Sequence, residues 1–197
     1  MRLGPFIPRR GRLLCCALLL LAVLAPLNLT FGKPQSTQKE SSRPELQVLG
    51  LHSADLFPVT NLSLLSWVTL IFCPRWHHLK AVALVGPVIN AITYTFVILF
   101  TFSHPDPNVV SDITSLEGIS TVFRNSDAVF AGWLHYCVFD PLIGLGEVLD
   151  SQQTGVPHLF VVPCLLLTMF LGPMGFLLYL AARGLTMYVK DDGYTVQ

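Results

Sequence analysis

The sequence predicts an all-α polytopic membrane protein with about four transmembrane helices and one short interfacial helix. Of its 197 residues, 52% are hydrophobic and 12% charged, about half the charge of an ordinary soluble domain. Mean hydropathy is +0.60, so the chain needs a non-aqueous solvent. Four apolar stretches approach or reach the roughly 20 residues that a helix needs to cross a bilayer, and polar connections separate them.

Twelve basic and twelve acidic residues cancel to zero net charge, so no electrostatic footprint for nucleic acid is present. Cys15, Cys16, Cys73, Cys137 and Cys164 form neither a CxxC pair nor an evenly spaced framework, and buried free thiols are expected.

Residues 1–31 read as a signal peptide-like segment. Arg2, Arg9, Arg10 and Arg12 precede an apolar run from Leu13 to Leu24, too short for a comfortable span. Residues 32–45 are polar and rich in hydroxyls, like a transit segment. The two together, with Phe31 at the junction, resemble the bipartite presequence of plastid proteins in algae with complex plastids. A plain secretory signal followed by a linker is the alternative. Residues 46–185 form a four-helix membrane domain, and 186–197 a polar tail.

Helix 1 is expected from Leu56 to Cys73, stopped by Pro74, and helix 2 from Ala81 to Phe102. The connection between them is so short that they must be antiparallel neighbours. Arg75, Trp76 and Lys80 suit the headgroup level. In the following loop, Thr114-Ser-Leu-Glu117 has capping-box spacing. Leu116, Ile119 and Phe123 recur at helical intervals, so a short helix on the membrane surface is expected. Helix 3 is expected from Asp127 to Val148 and helix 4 from His158 to Ala182. Four crossings would bring both termini to one side, and that side would carry more Lys and Arg.

Helix 3 places His135 and Asp140 within a span. An ionisable group at that depth costs a few kcal/mol or more and marks a site by default. Five residues apart, the two lie about 140° apart around the helix, whereas Tyr136 faces Asp140. Pro141 removes the N–H that would bond the Cys137 carbonyl and opens that turn. The structural alternative is that Asp140 neutralises Arg75 and pins two helices together. On helix 2, Asn90, Thr93 and Tyr94 form a polar stripe, for which interhelical hydrogen bonding is the ordinary explanation. Gly172-Pro-Met-Gly175 in helix 4 suggests close packing and a bend. No HxxxH or HxxHH box, GxGxxG, HExxH or GxSxG occurs, so neither a metal site nor a redox cofactor is predicted.

Four stretches, Cys73-Pro-Arg-Trp-His-His-Leu79, Ser115-Leu-Glu-Gly-Ile-Ser-Thr-Val-Phe123, Gly132-Trp-Leu-His-Tyr-Cys-Val-Phe-Asp140 and Phe170-Leu-Gly-Pro-Met-Gly-Phe-Leu-Leu178, resemble the abscisic-acid-deficient-4-like family of small plastid membrane proteins. The likeness spans roughly Leu56 to Arg183. One departure is Pro141-Leu-Ile-Gly-Leu-Gly146, where the family pattern has an apolar run, a Gly and an Arg-Trp pair. The resemblance implies a multi-pass protein of the plastid (chloroplast) membrane, required for neoxanthin synthesis. It also implies a xanthophyll substrate, lipid around it and partner proteins of carotenoid metabolism. The implied reaction is the cofactor-free isomerisation of a violaxanthin-like epoxide to a neoxanthin-like allene, which asks for an acid at the epoxide oxygen and a base at C7 in a dry site. On that reading Asp140 is the base, His135 or Arg75 supports the epoxide oxygen, and Tyr136 orients Asp140. Arg75, Trp76, Trp133, Asn90 and Tyr94 would then line the substrate site. A non-catalytic carotenoid-binding or pigment-assembly protein is the alternative.

Overall fold

The computed structural model describes residues 53–103 and 114–194, and side chains as far as residue 191. The presequence expectations, the loop carboxylates Asp106 and Asp112, and the end of the tail lie outside the described residues.

Ser53–Leu56 (α1), a 3-10 helix at Phe57–Leu62 and Ser63–Phe72 (α2) run on as one apolar element of 20 residues. Pro58 lies in the opening turn of the 3-10 helix, where a missing N–H costs little. α2 stops at Cys73, before Pro74, as expected. Its inward face is made of small hydroxyl residues beside Trp67 and Leu70, and Ser66 Oγ donates to the Ala83 carbonyl at 2.7 Å. Small inward residues let α2 and Leu79–Ser103 (α3) approach closely. At Gly86 of α3 a Cβ would lie 2.5 Å from the carbonyl oxygen of Leu62, where the 3-10 helix meets α2.

Leu116–Val122 (α4) is the expected short helix. Its cap is Ser115, one residue later than the capping-box spacing from Thr114 suggested. Ser115 has the extended backbone of a cap (φ −118°, ψ 149°), and its Oγ accepts from Gly118 N at 3.1 Å. Leu116, Ile119 and Phe123 are exposed, as an interfacial helix requires.

Ser126–Thr154 (α5) is the central rod, 29 residues long and capped by Asn125, whose side chain accepts from Asp127 N at 2.8 Å. It packs on α2 and α3 and continues past the expected end at Val148. Its polar last turns have partners outside the helix: Gln152 Nε2 donates to the Pro74 carbonyl at 2.6 Å, and Asp150 binds Tyr179 and Arg183. Gly155, in the left-handed region at φ 76°, ends it.

The all-helical membrane architecture is as predicted: among the described residues, three elements are long and apolar enough to cross a membrane, and a shorter apolar helix follows. The fourth apolar stretch differs in shape from the single rod expected. It is His158–Leu171 (α6) and Pro173–Tyr194 (α7), broken at Gly172 (φ 32°, ψ −89°). A Cβ on Gly175 would strike the backbone N and hydroxyl of Thr168 and come within 2.6 Å of the Cys164 carbonyl. In a continuous helix Gly175 and Cys164 would be about 16 Å apart, so α7 folds back along α6. Gly172 adopts a conformation that disfavours side chains, and Pro173 restarts the helix without the N–H that a first turn does not need.

With 14 residues, α6 is about 21 Å long, less than a crossing. The hairpin therefore enters and returns on one side. Ser53 Oγ donates to Asp127 at the start of α5, whereas Lys190 Nζ donates to the Thr154 carbonyl at its other end. The α7 end thus lies on the side of the 74–80 connection, opposite Ser53, and the two ends do not share a side as four full crossings would require. Cys137 and Cys164 are free thiols; Cys73 is the exception, being disulfide-bonded.

Candidate functional site

The site begins with a missing hydrogen-bond donor. Pro141 lies inside α5 and cannot bond the Cys137 carbonyl. Ser63 Oγ of α2 supplies that bond at 2.8 Å, and Asn90 Nδ2 of α3 donates to Ser63 Oγ at 2.9 Å. Three helices are tied at one level, so α5 continues through its proline. Asn90 is fully buried, and its Oδ1 has no hydrogen-bond partner among the described residues. The polar stripe on α3 therefore divides. Asn90 turns inward, Thr93 bonds back to the Ile89 carbonyl at 3.0 Å, and Tyr94 turns toward α5.

One residue before the proline, Asp140 is the fifteenth of the 29 residues of α5, at the midpoint of the span. It is half-buried and makes no hydrogen bond or ion pair with any of the described residues. Its Oδ1 lies 3.2 Å from where a Cβ on Gly172 would sit, so the carboxyl abuts the tip of the α6–α7 hairpin. Any side chain at 172 would crowd it.

His135 is exposed on the outer face and ringed by aromatics: Phe139 at 4.6 Å, Tyr94 at 6.2 Å and Tyr136 at 6.4 Å between centroids. It lies within Coulombic reach of Asp140 despite the angle between them around the helix. Tyr136 is 59% exposed and is not hydrogen-bonded to Asp140, so the expected orienting bond is not formed in this structure. Trp133 stacks on Phe57 at 6.3 Å and lines an open apolar groove of about 500 Å³ with Ser53, Val129 and Phe130.

Arg75 and Trp76 are not brought to this place. Trp76 packs edge-on against His77 and His78 in the α2–α3 connection. That connection is held to Gln152, twelve residues beyond Asp140 and about 18 Å away along the helix. Such a gap exceeds the reach of an arginine, so Asp140 does not neutralise Arg75. Helix 3 was expected to end at Val148, which would have put Asp140 nearer that side than α5 does.

Sequence reasoning passed over Glu147. It is 2% exposed, its Oε1 accepts from Thr168 Oγ1 at 2.9 Å, and its Oε2 has no hydrogen-bond partner among the described residues. Its place seven residues after Asp140, on nearly the same face of the helix, was the available signal. Also passed over was the cluster in which Tyr179 and Arg183, four apart on α7, both bond Asp150.

The model of the ABA DEFICIENT 4-like family matches residues 56–179. The chain belongs to that family. The match covers the 3-10 helix, α2 to α6 and the first third of α7, and so the whole kinked centre. No curated protein and no solved structure matches the chain.

Proposed function

We propose that this protein acts in the plastid membrane on an epoxy-xanthophyll, isomerising it to an allenic product by acid/base epoxide opening. Membership of the ABA DEFICIENT 4-like family supports a plastid role connected with xanthophylls and abscisic acid. The observation that carries the chemistry is Asp140: a half-open carboxyl at mid-span, without a hydrogen-bond partner among the described residues and within reach of an imidazole. Structural carboxylates at this depth are paired; an unpaired one that opens to the outer face is available to a reactant.

In the proposed reaction, Asp140 takes the proton from C7. The C7–H electron pair forms the C6–C7 double bond, the C6–O bond breaks, and the oxygen left on C5 takes a proton from His135. Atoms and electrons balance without an oxidant. Lipid excludes water from the reacting groups, which strengthens both proton transfers. Trp133, Tyr136 and Phe139 are about half exposed on the same outer side of α5 and offer rings to a polyene arriving through lipid. Because Asp140 is at mid-span, a substrate ring there requires a strongly tilted pigment. Arg75 and Trp76, at the far end of α5, contact at most the distal part of the substrate.

The same aromatic strip also favours the second reading, a binder that holds the pigment without changing it. Expression in a host that makes epoxy-xanthophyll separates the two. The isomerase yields allenic pigment in the membranes. Purified protein that carries only unchanged epoxide, with no allenic product in the host, would establish the binder instead.

A further inference from the structure

Along α5, Asp140 is open in one direction. Val129, Trp133, Tyr136 and Asp140 fall within about 60° of one another around the helix axis and form a single stripe. The first three are about half exposed, and half-buried Asp140 ends the row. Beyond it the stripe closes. Gly144, four residues on, lies against the Trp67 and Leu165 side chains, and Glu147 is buried against Thr168 of α6. A long, stiff molecule with its reacting end at Asp140 therefore runs toward the start of α5.

In that direction the stripe enters the apolar groove between α1, the 3-10 helix and α5. Its volume of about 500 Å³ is within the range of small-molecule sites. Phe57 and Trp133 stand nearly parallel, 24° apart, and Phe130 leans on Phe57 at 45°, so the walls present flat ring faces. At the outer end Ser53 donates to Asp127, whose carboxylate has a second oxygen able to accept a hydroxyl proton. A xanthophyll is about as long as the hydrocarbon core is thick, about 30 Å. Asp127 is thirteen residues from Asp140, about 20 Å along the helix. With the epoxide ring at Asp140, the far half of the polyene lies between Phe57 and Val129, and the second ring emerges beside Ser53 and Asp127. A flexible acyl chain suits the apolar walls, but it needs neither flat ring faces nor an acceptor at its end.

We infer that this groove seats the unreacted half of the epoxy-xanthophyll, with the hydroxylated second ring at Ser53 and Asp127. The inference rests on placing the reacting ring at Asp140. It adds the direction of the pigment, which points away from Arg75 and Trp76.

The test uses the whole chain in lipid vesicles and a xanthophyll with an epoxide on one ring. The other ring carries a photoreactive diazirine beside its free hydroxyl. Illumination should attach this probe to residues 53–57 or 126–130, identified by mass spectrometry of the digested protein. Label elsewhere in the chain, on residues 74–80 for example, would overturn the inference, as would label in lipid alone. Ala54→Phe and Val129→Trp fill the groove from its two walls, both at exposed positions. Each should raise the KM for the whole pigment about tenfold or more by removing ring contacts. A shortened epoxide that ends at mid-polyene should keep its wild-type KM within about twofold. An equal rise for both substrates, or for neither, would overturn the seat. Label in the groove without any allenic product upholds the seat and counts against the isomerase reading. Allenic product with label elsewhere does the reverse.

Discussion

Asp140 and Glu147 are carboxyls on one helix and on nearly one face, yet their surroundings are opposite. Glu147 is sealed beneath α6 and held by Thr168, and Asp140 is half-open beside the hairpin tip without a hydrogen bond. The hairpin makes the difference. It covers α5 from the Thr154 end as far as Gly172 and stops level with Asp140. Burial alone therefore does not identify the reactive group; what matters is which carboxyl the cover leaves accessible.

The largest effect expected is on turnover at Asp140. Asp140→Asn keeps the shape but cannot accept a proton, so product formation should fall about 10²-fold or more while pigment still binds. Full activity in a well-folded variant would erase the distinction between the two carboxyls. Next is Gly175→Leu, which drives a side chain into the Thr168 backbone and hydroxyl. It should destabilise by roughly 3 kcal/mol or more, read as a lower unfolding temperature in detergent. Unchanged stability would show that the cover over Glu147 is loose. Thr168→Val leaves Oε1 of Glu147 without its donor and should cost about 1–3 kcal/mol. A negligible cost would mean that water replaces the threonine and that Glu147 is less sealed than Asp140. The smallest effect belongs to Tyr179→Phe. Asp150 keeps Arg183 and is partly exposed, so about 1 kcal/mol or less is expected in the same unfolding assay.

Much of this arrangement was legible in the sequence. The three long apolar elements follow from hydropathy, and the stop at Cys73 follows from Pro74. Asp140 and His135 stood out because charge is rare inside apolar runs. The orphaned Cys137 carbonyl followed from Pro141, although its partner Ser63, 74 residues away, did not. Long-range partners have no local signature. Two errors share another origin, since both came from reading continuity out of hydropathy. The run from His158 to Ala182 is apolar throughout, so it looked like one rod, although Gly172-Pro173 was a turn signal that could have divided it. Conversely, the polar residues after Val148 looked like a loop, and Glu147, one residue before that expected end, was passed over. Labelling of introduced cysteines checks the revised path: Lys190→Cys and His77→Cys should react from one side and Leu116→Cys from the other.

The break at Gly172 also dictates an order of assembly. Hydrocarbon offers no hydrogen bonds to a helix interrupted at mid-depth, so such a turn survives only against protein. Neither arm of the hairpin can therefore insert as an independent span. The three long helices must be in place first, and the hairpin docks last, as the most readily detached unit of the fold. A chain truncated after Thr154 should still enter the membrane, whereas residues 158–194 alone should not.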